Sequence, residues 1–112
     1  MKTTEAAPAD GTITVERRGH LLLIGINRPA KYNGFTPAML KQLGSAYTLL
    51  DDEPDLRVGV LHAFGPHFTA GLDLPSMAPL MQRGERVIPY GLVDPTDLGT
   101  PGYRRRTKPM VV

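Results

Sequence analysis

The residues whose types could do chemistry are few: His20, His62 and His67, Lys31, the segment around Gly71 and Asp73, and the run Arg104, Arg105 and Arg106. His62 and His67 flank the end of an apolar run. Imidazoles so placed can hold a metal ion or take a proton, but no carboxylate stands at ligand spacing from them, so metal ligation has little chemical support. His20 follows Arg18-Gly19 and reads as a turn residue. Gly71 reads either as a plain turn glycine or as a point of close backbone approach to a ligand. Asp73 reads as an acid or, more simply, as the cap that opens a helix. Lys31 is a solvated loop lysine or a phosphate ligand. The arginine run has Tyr103 as its single aromatic neighbour. That is too little for a nucleic-acid footprint, and the run reads as a solvated loop that could touch a neighbouring subunit.

Composition narrows the classes. The 112 residues fit one domain or part of one. Thirteen Lys and Arg stand against 11 Asp and Glu, a net charge of +2. Long-range steering of nucleic acid or of an anionic membrane is not implied by that balance. There is no cysteine, which excludes disulfides, cysteine-ligated metals and a thiol nucleophile and suits a reducing compartment. No stretch approaches the roughly 18 apolar residues of a membrane span. Residues 1–11 carry no apolar run, so they read as a mobile lead-in rather than a signal peptide.

The elements that must position these residues follow from periodicity. Ile13, Val15 and Arg17 alternate with Thr12, Thr14 and Glu16, the pattern of a strand with one apolar face. After a turn at Arg18-Gly19-His20, the continuous run Leu21 to Ile26 suits a strand buried on both faces. Thr36 caps and Pro37 opens a helix of about fourteen residues, with Met39, Leu40, Leu43, Ala46, Tyr47 and Leu50 as its stripe. Its acidic end, Asp51-Asp52-Glu53-Pro54, opposes the helix dipole and predicts fraying. A third strand spans Arg57 to Ala63, and a short helix is expected over Met77 to Gln82. Gly84 to Thr107 has no apolar period and reads as a long surface loop, ordered or not. Pro109 to Val112 looks like the start of another strand, and an apolar run at the last residue suggests truncation. No internal repeat is visible. Local sequence alone gives α/β or α+β.

Three blocks carry more. They are Ile26-Asn27-Arg28-Pro29-Ala30-Lys31-Tyr32-Asn33-Gly34-Phe35, the helix with acidic Asp51 to Asp55 leading into Val58 to Leu61, and Phe68-Thr69-Ala70-Gly71-Leu72-Asp73-Leu74. In this order and spacing they resemble the enoyl-CoA hydratase/isomerase (crotonase) superfamily over about Thr12 to Met81, and the Lys108 to Val112 tail is similar too. The family shows Asn-Ala-Leu where this chain has Asn33-Gly34-Phe35.

The resemblance implies an α/β fold of stacked β-β-α units, here an N-terminal part over residues 12–112 that is incomplete at the C-terminus, with a long loop at 85–107. It implies acyl-CoA thioester binding and an enolate held by two backbone N–H groups. The first donor would be the Leu72 N–H. Ala30, Lys31, Tyr32, Ala70, Gly71 and Asp73 would form the CoA-binding surface, with Asp73 holding the loop. The second donor follows a Lys-Pro-Val-Val-type strand in the family; that glycine-rich turn and the acid/base glutamates are absent here. The expected activity is that of an enoyl-CoA hydratase/isomerase in acyl-CoA metabolism, with the 112-residue segment inactive alone. The rivals are hydrolysis, decarboxylation or ring cleavage on the same scaffold, or a non-catalytic CoA-binding or assembly module. No permanent cofactor and no metal is expected, coenzyme A being part of the substrate. A homotrimer or dimer of trimers in the cytoplasm, with no nucleic-acid or membrane partner, completes the expectation.

Overall fold

The strand β1 (Thr12–Arg18) and its neighbour β2 (Leu21–Asn27) form an antiparallel hairpin in which Ile13 faces Ile26 and Arg18 faces Leu21. This computed structural model describes residues 10–112; the lead-in expected over residues 1–11 lies, through residue 9, outside them. A 3-10 turn at Pro29–Lys31 leads to α1 (Pro37–Asp52), which carries the chain over to β3 (Val58–Ala63), parallel to β2. Then come α2 (Leu74–Gln82) and β4 (Met110–Val111), parallel to β3. The sheet order is β1-β2-β3-β4. The fold is mixed α/β, a β-β-α unit followed by further strands.

The helix forms where the caps predict. The Thr36 hydroxyl accepts the Met39 N–H at 3.3 Å, and Pro37 occupies the first turn. Met39, Leu43, Ala46, Tyr47 and Leu50 face Leu22, Ile24 and Ile26 of β2 in one core. Full burial of each of these Leu and Ile side chains stabilises the fold by about 1.5–3 kcal/mol. The second face of β2 is different from expectation. Leu21 is exposed and Leu23 only half-buried, because α1 lies on one side of the sheet and no described element covers the other.

Two further expectations are corrected. The segment from Gly84 to Thr107 is irregular, yet it buries Ile88 and leaves Val93 fully enclosed in the core. It can do so because Gly44 of α1 has no side chain: a Cβ there would come within 3.2 Å of the Ile88 side chain. The Thr48 hydroxyl takes the Val93 N–H at 2.9 Å. The acidic end of α1 is also held rather than left to fray. Lys108 Nζ donates to the carbonyl oxygens of Leu50 at 2.8 Å and Glu53 at 2.6 Å, supplying the positive charge a helix C-terminus favours. Asp51 accepts the Thr107 N–H, and Asp52 forms a two-point pair with Arg104. Arg105 pairs with Asp97 and the Arg106 guanidinium donates to the Lys108 carbonyl at 2.6 Å, so all three arginines make contacts within the chain while staying exposed, as a solvated run would.

Candidate active site

Two loops leave adjacent parallel strands at the same end of the sheet and fold onto each other. The first, residues 28–35, follows β2; the second, residues 64–73, follows β3. Tyr32 and Asn33 both take the left-handed conformation, each with φ of 55°. That conformation is unfavourable for tyrosine and tolerated by asparagine. What holds it is the Asn33 side chain, which is 1% exposed. Its oxygen accepts the Arg28 N–H at 2.7 Å, and its nitrogen donates to the carbonyls of Phe64 at 2.8 Å and His67 at 2.9 Å. One side chain therefore closes the first loop and ties it to the second.

The second loop is then fixed bond by bond. The Ala70 N–H donates to the Tyr32 carbonyl at 2.9 Å. The Thr69 hydroxyl donates to the Asn33 carbonyl at 2.7 Å and accepts the Gly71 N–H at 3.1 Å. Phe35 and Leu72 form an isolated parallel bridge, in which the Phe35 N–H donates to Gly71 O at 2.7 Å and the Asp73 N–H to Phe35 O at 2.8 Å. The N–H groups of residues 70, 71 and 73 are all used within the loops. The Leu72 N–H between them meets no acceptor among the described residues. Gly71 sits at φ of 92°, a backbone state that only glycine takes without strain, while a Cβ would meet nothing within 4 Å. Conformation, not space, requires the glycine.

Leu72 also borders an apolar cleft of about 210 Å³ lined by Phe35, Leu40, Leu43, Gly71, Leu72, Pro95 and Thr96. Its far wall comes from the irregular segment. The buried Asp94 fixes that wall: it accepts the Thr96 hydroxyl at 2.6 Å, the Thr96 N–H at 2.9 Å and the Leu98 N–H at 3.3 Å. Burial pushes the Asp94 carboxyl up, but these hydrogen bonds outweigh it and hold the group below its ordinary pKa.

The other sequence candidates separate. Asp73 caps α2, accepting the Ser76 N–H at 3.2 Å and the Ser76 hydroxyl at 2.6 Å, and it pairs with Arg28 at 3.1 Å. The Ser76 hydroxyl, and then Arg28, hold its carboxyl below the usual range. Ala30, Lys31, Tyr32 and Ala70 are exposed and gathered where the two loops meet. Among the described residues no donor reaches the Ala30 or Ala70 carbonyl. His62 lies edge-on to Phe64 at 5.4 Å and His67 edge-on to Tyr32 at 5.0 Å. Among the described residues no three His, Cys, Asp or Glu side chains gather as a metal site would need. Arg28, Asn33 and Thr69 were not singled out individually by sequence reasoning. An asparagine in a Gly-containing turn was the local signal, since the partners that join the two loops lie 31 to 45 positions away.

The sequence profile of the family described as Enoyl-CoA hydratase/isomerase matches residues 16–92, well over half of the chain. The chain belongs to this family. Among curated relatives it is 39% identical over 74 residues to enoyl-CoA hydratase EchA19 of Mycobacterium tuberculosis, covering 66% of this chain and 27% of that protein. It is 33% identical over 110 residues to mevalonyl-coenzyme A hydratase sidH of Aspergillus fumigatus, covering 97% of this chain and 39% of that protein. Among solved structures it is similar to a probable enoyl-CoA hydratase/isomerase from Mycobacterium abscessus, with a TM-score of 0.80 and 41% identity, covering 88% of this chain and 37% of that one. The chain thus spans less than two-fifths of each of these enoyl-CoA hydratase/isomerase relatives, and its fold is the crotonase fold they share. No helix among the described residues is long and apolar enough to cross a membrane.

Proposed function

We propose that the whole protein binds acyl-CoA thioesters and stabilises a thioester enolate, with the Leu72 N–H as one of two oxyanion donors and enoyl-CoA hydration or isomerisation as its reaction. One observation carries the reading: Leu72 has an unused N–H on a loop whose neighbouring amides are all engaged, beside an apolar cleft. A fixed, unpaired donor is what a developing oxyanion needs, because it costs no reorganisation when charge forms. The cleft takes the acyl group. The open carbonyls of Ala30 and Ala70 receive the amino group of the coenzyme A adenine, Tyr32 and Gly71 shape that surface, and the Lys31 ammonium meets a phosphate.

On this reading residues 1–112 alone do not turn over substrate, because the second donor and the acid/base glutamates that the family resemblance calls for are not among them. Coenzyme A enters as part of the substrate with no permanent cofactor, and the protein assembles as a homotrimer or dimer of trimers in the cytoplasm. The hydratase names of the two curated relatives favour hydration over the other reactions of the scaffold. The test is calorimetric binding of a short 2-enoyl-CoA to the whole protein, followed by loss of the conjugated enoyl-thioester absorbance. A branched hydroxyacyl-CoA is run beside the linear one. Saturable binding with loss of absorbance supports the proposal. Absence of binding to every acyl-CoA overturns it, and binding without turnover leaves a CoA-binding module in its place.

A further inference from the structure

We propose that Arg28 is a positioning residue for the Leu72 amide, a role that rests on the reading of that amide as an oxyanion donor. Arg28 stands immediately after β2, and its backbone is fixed on both sides. Asn33 Oδ1 accepts its N–H, and its carbonyl accepts the N–H groups of Lys31 at 3.0 Å and Asn33 at 2.9 Å. From this anchored position Nη1 of the guanidinium donates to the Gly34 carbonyl at 3.2 Å and to Asp73 Oδ1 at 3.1 Å. Gly34 precedes Phe35, and Asp73 follows Leu72. The two acceptors therefore lie at opposite sides of the Phe35–Leu72 bridge, and a single nitrogen spans it.

This divides the labour between two polar clamps. Asn33 and Thr69 register the upstream halves of the loops, where Ala30, Tyr32 and Ala70 are gathered. Arg28 registers the downstream half, where the unused N–H lies. The Arg28 side chain is 11% exposed and the Asp73 side chain 22%, so the pair is largely withdrawn from solvent and water does not fully replace a lost partner. Lysine cannot replace the guanidinium there. Its ammonium is a flexible, strongly hydrated point charge without the planar fork that fixes the direction of each bond. Because Asp73 also caps α2, a shift of the guanidinium moves Leu72 relative to the acyl cleft. Misplacement of a reacting group by about 1 Å costs on the order of 10²-fold in rate.

The experiment is Arg28→Lys in the whole protein, with a short 2-enoyl-CoA labelled at its thioester carbonyl. The affinity, kcat, and downshift of the bound carbonyl stretch are read together. The downshift reports polarisation by the oxyanion donors, which loss of stability alone does not change in the folded fraction. The expected result is unchanged affinity, a loss of about 10- to 100-fold in kcat and a smaller carbonyl downshift. If Arg28→Lys does not fold, Arg28→Gln is read in the same way, since its amide keeps a planar donor and lacks the reach that joins the Gly34 carbonyl to Asp73. A wild-type downshift and kcat retained in the folded variant overturn the role of Arg28 and leave the Leu72 reading standing. No downshift on binding to the wild-type protein overturns both.

Discussion

Asn33 Nδ2 donates to the Phe64 carbonyl at 2.8 Å, joining the loop after β2 to the loop after β3 across 31 positions of sequence. Asn33→Ala leaves that carbonyl, the His67 carbonyl and the Arg28 N–H without their partner. The expected loss is about 2–4 kcal/mol of folding stability, measured by urea denaturation of the whole protein. A loss under about 0.5 kcal/mol, the size of a surface substitution, would mean that the left-handed pair at Tyr32 and Asn33 is held by something else.

The Leu72 proposal separates backbone from side chain. Leu72→Ala keeps the N–H and is expected to retain most activity while broadening the acyl group accepted. Leu72→Pro removes the donor and is expected to lower kcat by about 10²–10³. Acyl-CoA affinity is measured for both, because proline also strains the loop. Equal turnover in the two variants at preserved affinity sinks the oxyanion assignment.

Gly34 stands where the family resemblance calls for alanine, and the structure has room for one. A Cβ there would lie 3.4 Å from the Lys31 carbonyl and 3.8 Å from the Asp73 Cβ, ordinary contact distances. Gly34→Ala is expected to raise stability by about 0.4–1 kcal/mol, chiefly by restricting the unfolded chain. A fall in the denaturation midpoint would show that the turn cannot accept the methyl.

Lys108 closes the C-terminus of α1. Lys108→Met keeps the apolar stem and removes both hydrogen bonds to the Leu50 and Glu53 carbonyls. Amide exchange is expected to quicken in the last turn of α1 and stay unchanged in its first turn. Unchanged exchange in the last turn would mean that the Asp51 and Asp52 contacts suffice.

Asp73 and Asp94 both ionise more readily folded than unfolded. An unfolded aspartate titrates near ~3.9. Their stabilising contribution is therefore complete above that value and is lost as pH falls below it through the folded values. The denaturation midpoint should be insensitive to these two groups between about pH 5 and 7 and fall below about pH 4. Asp94→Asn should flatten that acid limb; an unchanged limb assigns the acid sensitivity elsewhere.

Sequence determined what local pattern can encode. The strand at Thr12 to Arg17, the Thr36-Pro37 start and the 3.6-residue stripe of α1 reappear, because each depends on residues within one or two turns of chain, although of the apolar face of β1 only Ile13 is buried and Val15 stays exposed. The Phe68 to Leu74 block likewise located the loop that carries the unused amide. Other features needed the tertiary structure. Which amide of that loop stays free depends on acceptors supplied by Tyr32, Phe35 and Thr69, and no periodicity announces those pairings. The Arg28–Asp73 pair spans 45 positions, and the Lys108 cap reaches back 58 to Leu50. The patternless segment entered the core at Ile88 and Val93 because its backbone is satisfied by its own turns and by Thr48, not by a repeating ladder. Burial there follows from where polar groups find partners in space, which the linear order of residues does not state.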